Sequence, residues 1–246
     1  MAYNVRVVNV RFQPIWRRCH RASHVPKADQ PLTTLIADIR VACIVSGIML
    51  STLQKLFEPK PVPLDLVTSG GEIYGHVFEN PKVGVARDLY WNVRVEFEPV
   101  QFDGDDWECS LAVEWLTWPV RRWRDLNGMG LGQVRLRDST ECSFYLYAQH
   151  HPATFRHFKL RESGPAIFEA DFSAIADVHD GRGRRHFEVS GKCDLKFAGI
   201  VVVTDNLSSK PATSEDARMA VAEFLALDDL ADPLSEQWRY VLEPLT

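Results

Sequence analysis

Residues 89–99 read LYWNVRVEFEP, and this stretch decides the fold class. Leu89, Trp91, Val93, Val95 and Phe97 fall on one side of an extended chain. Tyr90, Asn92, Arg94, Glu96 and Glu98 fall on the other. Successive side chains of a strand point to opposite faces, so this period of two predicts a strand with one buried face. The pattern repeats downstream in WECSLAVEWLTW (residues 107–118), with Trp107, Cys109, Leu111, Val113 and Trp115 in phase. Further strand candidates are GQVRLRD, ECSFYLYAQ, AIFEADFSAIAD, RHFEVSGKCDLKF and GIVVVTD. Turn signals separate them: Gly70-Gly71, Asn80-Pro81, Asp103-Gly104, Asn127-Gly128, Gly164-Pro165 and Asp180-Gly181. No helical stretch lies between these strands, so an antiparallel sheet over residues 64–205 is expected rather than parallel βαβ units.

The flanks differ in period. Residues 3–12 (YNVRVVNVRF) read as a strand that Pro14 ends. From Leu32 to Phe57, apolar residues recur at three- and four-residue spacing between Pro31 and Pro59, which predicts a long helix over 32–57. Its β-branched content leaves open a strand ending at Gly47 followed by a short helix. Near the C-terminus, SEDARMAVAEFLALDDL (214–230) carries a serine cap, early acids and an apolar stripe, which predicts a second helix. The expectation is a single α+β domain over residues 1–246, mainly antiparallel β, built as a sandwich or curled half-barrel.

The chain has 246 residues and a formal net charge of -5. Residues 1–60 hold 9 Lys/Arg against 3 Asp/Glu, so the remainder is strongly acidic. Such asymmetry suits a basic arm on an acidic partner, or two parts of one fold attracting each other. The five cysteines are widely spaced, with no C-x-x-C, which predicts free thiols and a cytoplasmic protein. Arg6, Arg11, Arg17 and Arg18 interrupt the N-terminus before a secretory apolar stretch can build. The longest nearly apolar run, residues 41–50, is too short to span a bilayer, and no membrane partner is expected.

Several constellations of residues could carry chemistry. Trp118, Arg121, Arg122, Trp123, Arg124, Arg135 and Arg137 form the leading binding candidate, because tryptophan and arginine are the commonest hot spots of protein interfaces. The same residues suit nucleic-acid or phosphate binding, through stacking and charge. The glycine-rich NGMGLG (127–132) among these arginines lacks both the following helix and the Lys-Ser/Thr ending of a phosphate loop. His150, His151, His157, His179 and His186, with Asp177 and Asp180, raise a metal-dependent hydrolase, but their spacing matches no ligand pattern. FDGDDWE (102–108) is acidic but fails the order of a Ca²⁺ loop, and reads as a hairpin tip. Neither Cys142, nor Ser190 before Gly191, nor Cys19 beside His20 lies in a nucleophile elbow. The reading is a noncatalytic macromolecule-binding protein, with another protein as partner, no catalytic or metal residues and no cofactor.

Overall fold

A computed structural model of the chain describes residues 60–102, 104–133, 140–180 and 183–245. The strand expected at 3–12, the helix expected at 32–57, and Arg135 and Arg137 lie outside these residues. The strands are β1 (Val62–Pro63), β2 (Thr68–Asn80), β3 (Val85–Phe97), β4 (Val100–Phe102), β5 (Asp105–Trp107), β6 (Ser110–Leu116), β7 (Glu141–Leu146), β8 (Gln149–Gly164), β9 (Ile167–Asp180) and β10 (Gly183–Val203). Helix α1 (Ser214–Ala222), β11 (Leu234–Glu236) and β12 (Arg239–Leu242) follow. The protein is an α+β chain dominated by antiparallel sheet, with one α-helix among the described residues.

Strands β2, β3, β6, β7, β8, β9 and β10 are paired in that order, and β10 pairs again with β2. The pairing path therefore closes on itself. Each step is antiparallel except β10 with β2, which is parallel. The length of β10 makes the closure possible. Its first part, Gly183–Lys196, runs along β9, and its last part, Leu195–Val202, runs along β2. The sequence motifs RHFEVSGKCDLKF and GIVVVTD are thus one strand, not two. Between them the register shifts at Phe197/Gly199. Gly199 has φ 102°, and a Cβ there would lie 2.4 Å from the Leu242 carbonyl oxygen. Only glycine relieves both constraints.

On β3 the expected core side is buried, with Leu89, Trp91, Val93, Val95 and Phe97 all inside, but Tyr90 and Asn92 on the other side are buried as well, so burial alternates only from Val93 onward. The core-side residues meet the even positions of β9, from Phe168 to Val178, and Phe187, Val189, Leu195 and Phe197 of β10 in one core. Small residues on β9 (Ala170, Ala174, Ala176) sit among large rings, as dense packing requires. Trp91 and Phe197 lie 6.2 Å apart, and Phe97 meets Phe172 edge-on at 6.2 Å.

Two tryptophans depart from the sequence pattern. Trp115 leaves the core face of β6. Its φ is 67°, the β3–β6 register slips between Trp91 and Val93, and its ring packs on the opposite face against Phe78 (4.7 Å) and Tyr90 (5.4 Å). A bulge of this kind inserts a residue and turns the side chains that follow. Trp107 is not part of β6 either; it ends the β4–β5 hairpin and stands 4.9 Å from Tyr147.

Helix α1 is shorter than the expected 214–230. Thr213 caps it, its Oγ1 accepting from Asp216 N at 3.1 Å. Beyond Ala222 the backbone is drawn into other pairings: Ala226 N–H donates to the Arg121 carbonyl at 2.8 Å, and Leu230 bridges Pro244. No helix among the described residues is long and apolar enough to cross a membrane.

Candidate functional site

The Arg/Trp stretch is organised around its two tryptophans, and both are inside. Trp123 is fully buried, stacked on Phe197 at 4.8 Å and edge-on to Phe168 at 6.3 Å. Its Nε1 donates to the Asp229 carbonyl at 3.1 Å. Trp118 is buried and stacked with Phe158, and its Nε1 donates to the Gly130 carbonyl at 3.2 Å. Neither indole offers a face for a base or a partner side chain. Asp125 fixes the turn by accepting from Arg121 N and Arg122 N. Of the arginines, Arg122 lies 3.7 Å from Asp228, while Arg124 covers the Trp123 ring and approaches Asp229 (3.5 Å) and Glu162 (3.9 Å). Arg121 and Arg122 are exposed. The glycine-rich segment packs along β8: Gly128 N–H donates to the Leu160 carbonyl, and a Cβ on Gly130 would lie 2.4 Å from the Phe158 oxygen. Close approach of two backbones accounts for that glycine without a phosphate.

The histidines gather only in part. His179 and His186 flank Asp177, at 3.6 and 3.9 Å, and Arg184 forms two close contacts with the same carboxylate. Burial works against the Asp177 charge, but the Arg184 hydrogen bond and charge outweigh it, so its pKa is lowered. His151 is buried; its Nδ1 accepts from His179 N–H at 3.3 Å, and its Nε2 lies 3.3 Å from the Leu146 carbonyl. Burial lowers its pKa. His157 pairs with Asp171 instead, and His150 bonds Ser143. Among the described residues no group of three His, Cys, Asp or Glu side chains could hold a metal ion.

Cys109, Cys142 and Cys193 are free thiols, and burial pushes them up to about 11, 12 and 12. They stay protonated at neutral pH, which removes their nucleophilicity.

A hollow lies elsewhere, on the face of β2, β3, β6 and β7 opposite the core. It has a volume of about 520 Å³, within the range of small-ligand pockets. The register shows how it forms. Arg94 of β3 pairs with Ala112 of β6, and Glu96 pairs with Ser110. Longer neighbours stand on each side: Tyr74 and Glu72 on β2, and Tyr145 on β7. Two short side chains in the middle of a floor of long ones leave a groove. Trp107 and Glu108 at the end of the β4–β5 hairpin form its rim, and the Tyr147–Ala148 turn holds Trp107 in place.

The groove is strongly one-signed. Glu72, Glu96, Asp106, Glu108 and Glu114 line it against one guanidinium, Arg94, which already contacts Glu96 at 2.5 Å. Glu114 is half-buried and directly opposite Glu141. Burial and the Glu141 charge raise its pKa, while His150 and Arg94 act the other way. Burial, then Glu114 and Glu72, push the Tyr74 phenol up to about 12; Tyr145 is raised by burial and Glu114. Both phenols remain protonated donors.

Asn92 stands on the groove's lining and is 5% exposed. Its Oδ1 accepts from Trp115 N–H at 3.3 Å, holding the positive-φ bulge, but its Nδ2 has neither a protein acceptor nor contact with bulk water. A buried amide donor left without an acceptor costs about 1–3 kcal/mol. Sequence reasoning missed the groove because it followed the core face of each strand. The signal lay on the other face: Asn92 interrupts the charged positions of β3, and Ser110 and Ala112 are small where β3 carries Glu96 and Arg94.

No family model, curated protein or solved structure matches this chain.

Proposed function

We propose that this is a binding protein that captures a positively charged segment of another protein in the groove across β2, β3, β6 and β7. The observation that carries this reading is the charge of the lining, five carboxylates against one arginine in a hollow of about 520 Å³. A field of one sign in a concave site attracts the opposite sign and raises the rate of encounter. The same field repels the phosphates of nucleic acid, which disfavours that alternative at this face. The contact surface is placed here rather than at Trp118–Arg124, because both tryptophans of that stretch are core and Arg122 and Arg124 already lie against Asp228 and Asp229. The closed pairing path through β10 supports a barrel-like frame for the groove rather than a sandwich.

Isothermal titration of a deca-lysine peptide, with deca-glutamate as control, tests the reading. Binding of the cationic peptide is expected to weaken at least tenfold when Glu72 and Glu108 are both changed to Gln. The same charge change at Glu215 and Glu243, exposed residues outside the groove lining, is expected to have little effect. Absence of binding, or equal loss in the two double variants, would overturn it.

A further inference from the structure

We infer that His151 is an acid-sensitive clasp: its neutral imidazole ties the β7–β8 turn to the end of β9, and its protonation releases that turn together with the hold on Trp107. The position follows from the topology. β8 changes partner at this point, Pro152 pairing with Ser143 of β7 and Ala153 with Ala176 of β9. Beyond Ala176, β9 pairs with β10 alone among the described residues. The main-chain N–H of His179 thus has no partner on the β8 backbone, and His151 Nδ1 accepts from it at 3.3 Å. The other ring nitrogen, Nε2, lies 3.3 Å from the carbonyl of Leu146, the last residue of β7.

These partners fix the protonation state. A main-chain N–H only donates, so Nδ1 carries the lone pair; a carbonyl only accepts, so Nε2 carries the proton. A second proton, on Nδ1, sets two N–H groups against each other. His151 is 2% exposed, so the new charge finds no water unless the chain moves. Burial is the largest influence on the ring and lowers its pKa; the Leu146 hydrogen bond and Asp177 oppose it, while His179 and His150 add to it. Asp177 already engages Arg184 and has His186 on its other side. The Tyr147 ring stands edge-on to His151 at 6.5 Å, and on β10 Arg185 lies over Phe187.

The clasp reaches the groove rim through the turn itself. Tyr147 and Ala148 both have positive φ, 59° and 53°, a conformation that non-glycine residues keep only while their surroundings impose it. Tyr147 stands 4.9 Å from Trp107, and Ala148 lines the groove. The clasp belongs to the frame of the groove and does not depend on what the groove binds. A histidine with a depressed folded pKa contributes stability that is complete above its unfolded value of 6.5 and is lost as pH falls through the folded one. Within that window, opening of the turn rises by up to about tenfold per pH unit. His76, lowered by burial to about 4, stays neutral over the same range.

Hydrogen exchange of the His179 amide, corrected for the intrinsic pH dependence of exchange, reads the clasp. Between about pH 7.5 and about pH 5.5 its protection is expected to fall about fivefold or more, with the amides of Ala217–Ala222 in α1 unchanged. The ¹⁹F resonance of Trp107 in fluorotryptophan-labelled protein should shift over the same interval. His151→Gln supplies an acceptor and a donor without a titration, so both responses should vanish, whereas His150→Gln should keep them. Constant protection at His179 in the wild-type protein overturns the inference. So does an unaltered pH response in His151→Gln, or a Trp107 resonance that stays fixed while His179 loses protection. Should His151→Gln fail to fold, ¹⁵N spectra of the wild-type imidazoles decide: His151 is expected as the Nε2–H tautomer at about pH 7.5, and a charged ring or the Nδ1–H tautomer there overturns the clasp.

Discussion

Trp123 sits between Arg122 and Arg124 in the sequence, and nothing in that context distinguishes a buried indole from an exposed one. In the fold it fills the space between Phe168 and Phe197, and the arginines lie outside it. Trp123→Ala is therefore expected to cost about 3–5 kcal/mol in a urea unfolding experiment, as large-to-small core changes do. Arg122→Ala should stay within about 0.5 kcal/mol, because its contact with Asp228 is solvent-exposed. Equal effects would contradict the burial. Glu114 gives a second residue-level expectation. Burial and Glu141 raise its folded pKa, with Arg94 and His150 opposing and Glu72, Tyr74 and Tyr145 nearby. A carboxyl raised on folding contributes stability that is present below its unfolded pKa and is lost as pH rises through the folded pKa. Glu114→Gln should thus raise the Tm at pH 7 and flatten the dependence of Tm on pH between the ordinary carboxylate range and neutrality. A Tm lowered at pH 7 would show that the ionised form is stabilised instead.

At the scale of elements, what was legible was the period. The face containing Leu89, Trp91, Val93, Val95 and Phe97 is set by alternation alone, and burial follows it. What was not legible was any point where the backbone leaves the regular pleat. Trp115 keeps phase with Leu111 and Val113 in the sequence, but the bulge at φ 67° carries it to the other face, where it shields Asn92 and Tyr90. Gly199 presented the opposite problem. A glycine between two apolar runs signals a break between strands, whereas here it is the bend within β10 that lets one strand serve two partners. Gly199→Ala must accept φ 102° and a Cβ 2.4 Å from the Leu242 oxygen. A loss of at least about 1–3 kcal/mol is expected, with the β10–β12 pairing disturbed first. Gly104, also at positive φ but with open space around its Cβ position, should cost less on the same change. Comparable losses at both glycines, measured by thermal unfolding, would mean that strain at φ and not the approach of β12 controls the site.

At the scale of the molecule, the closed path of strand pairing decides where stability concentrates. The four strands that build the groove floor, β2, β3, β6 and β7, each have a neighbour on both edges along the path, as do β8, β9 and β10. The β4–β5 hairpin that forms the rim is a separate two-stranded sheet, joined by three residue pairs, and short two-stranded hairpins are marginal by themselves. Local opening of the rim over a fixed floor would suit entry of a chain segment into the groove, provided the Trp107–Tyr147 contact yields. Native-state hydrogen exchange tests this division. Amides of β9, of β10 from Phe187 to Phe197, and of β3 from Trp91 to Val95 are expected to exchange only through global unfolding. Those of Gln101, Phe102 and Asp105–Trp107 should exchange orders of magnitude faster, and those of Leu234–Glu236, on an edge strand whose side chains are exposed, should resemble them. Binding of deca-lysine should slow exchange in the hairpin and leave the floor unchanged. If the hairpin is as protected as β3 in the free protein, the rim is a fixed wall. The groove must then be entered from its open side, and Trp107 would shape the site without gating it.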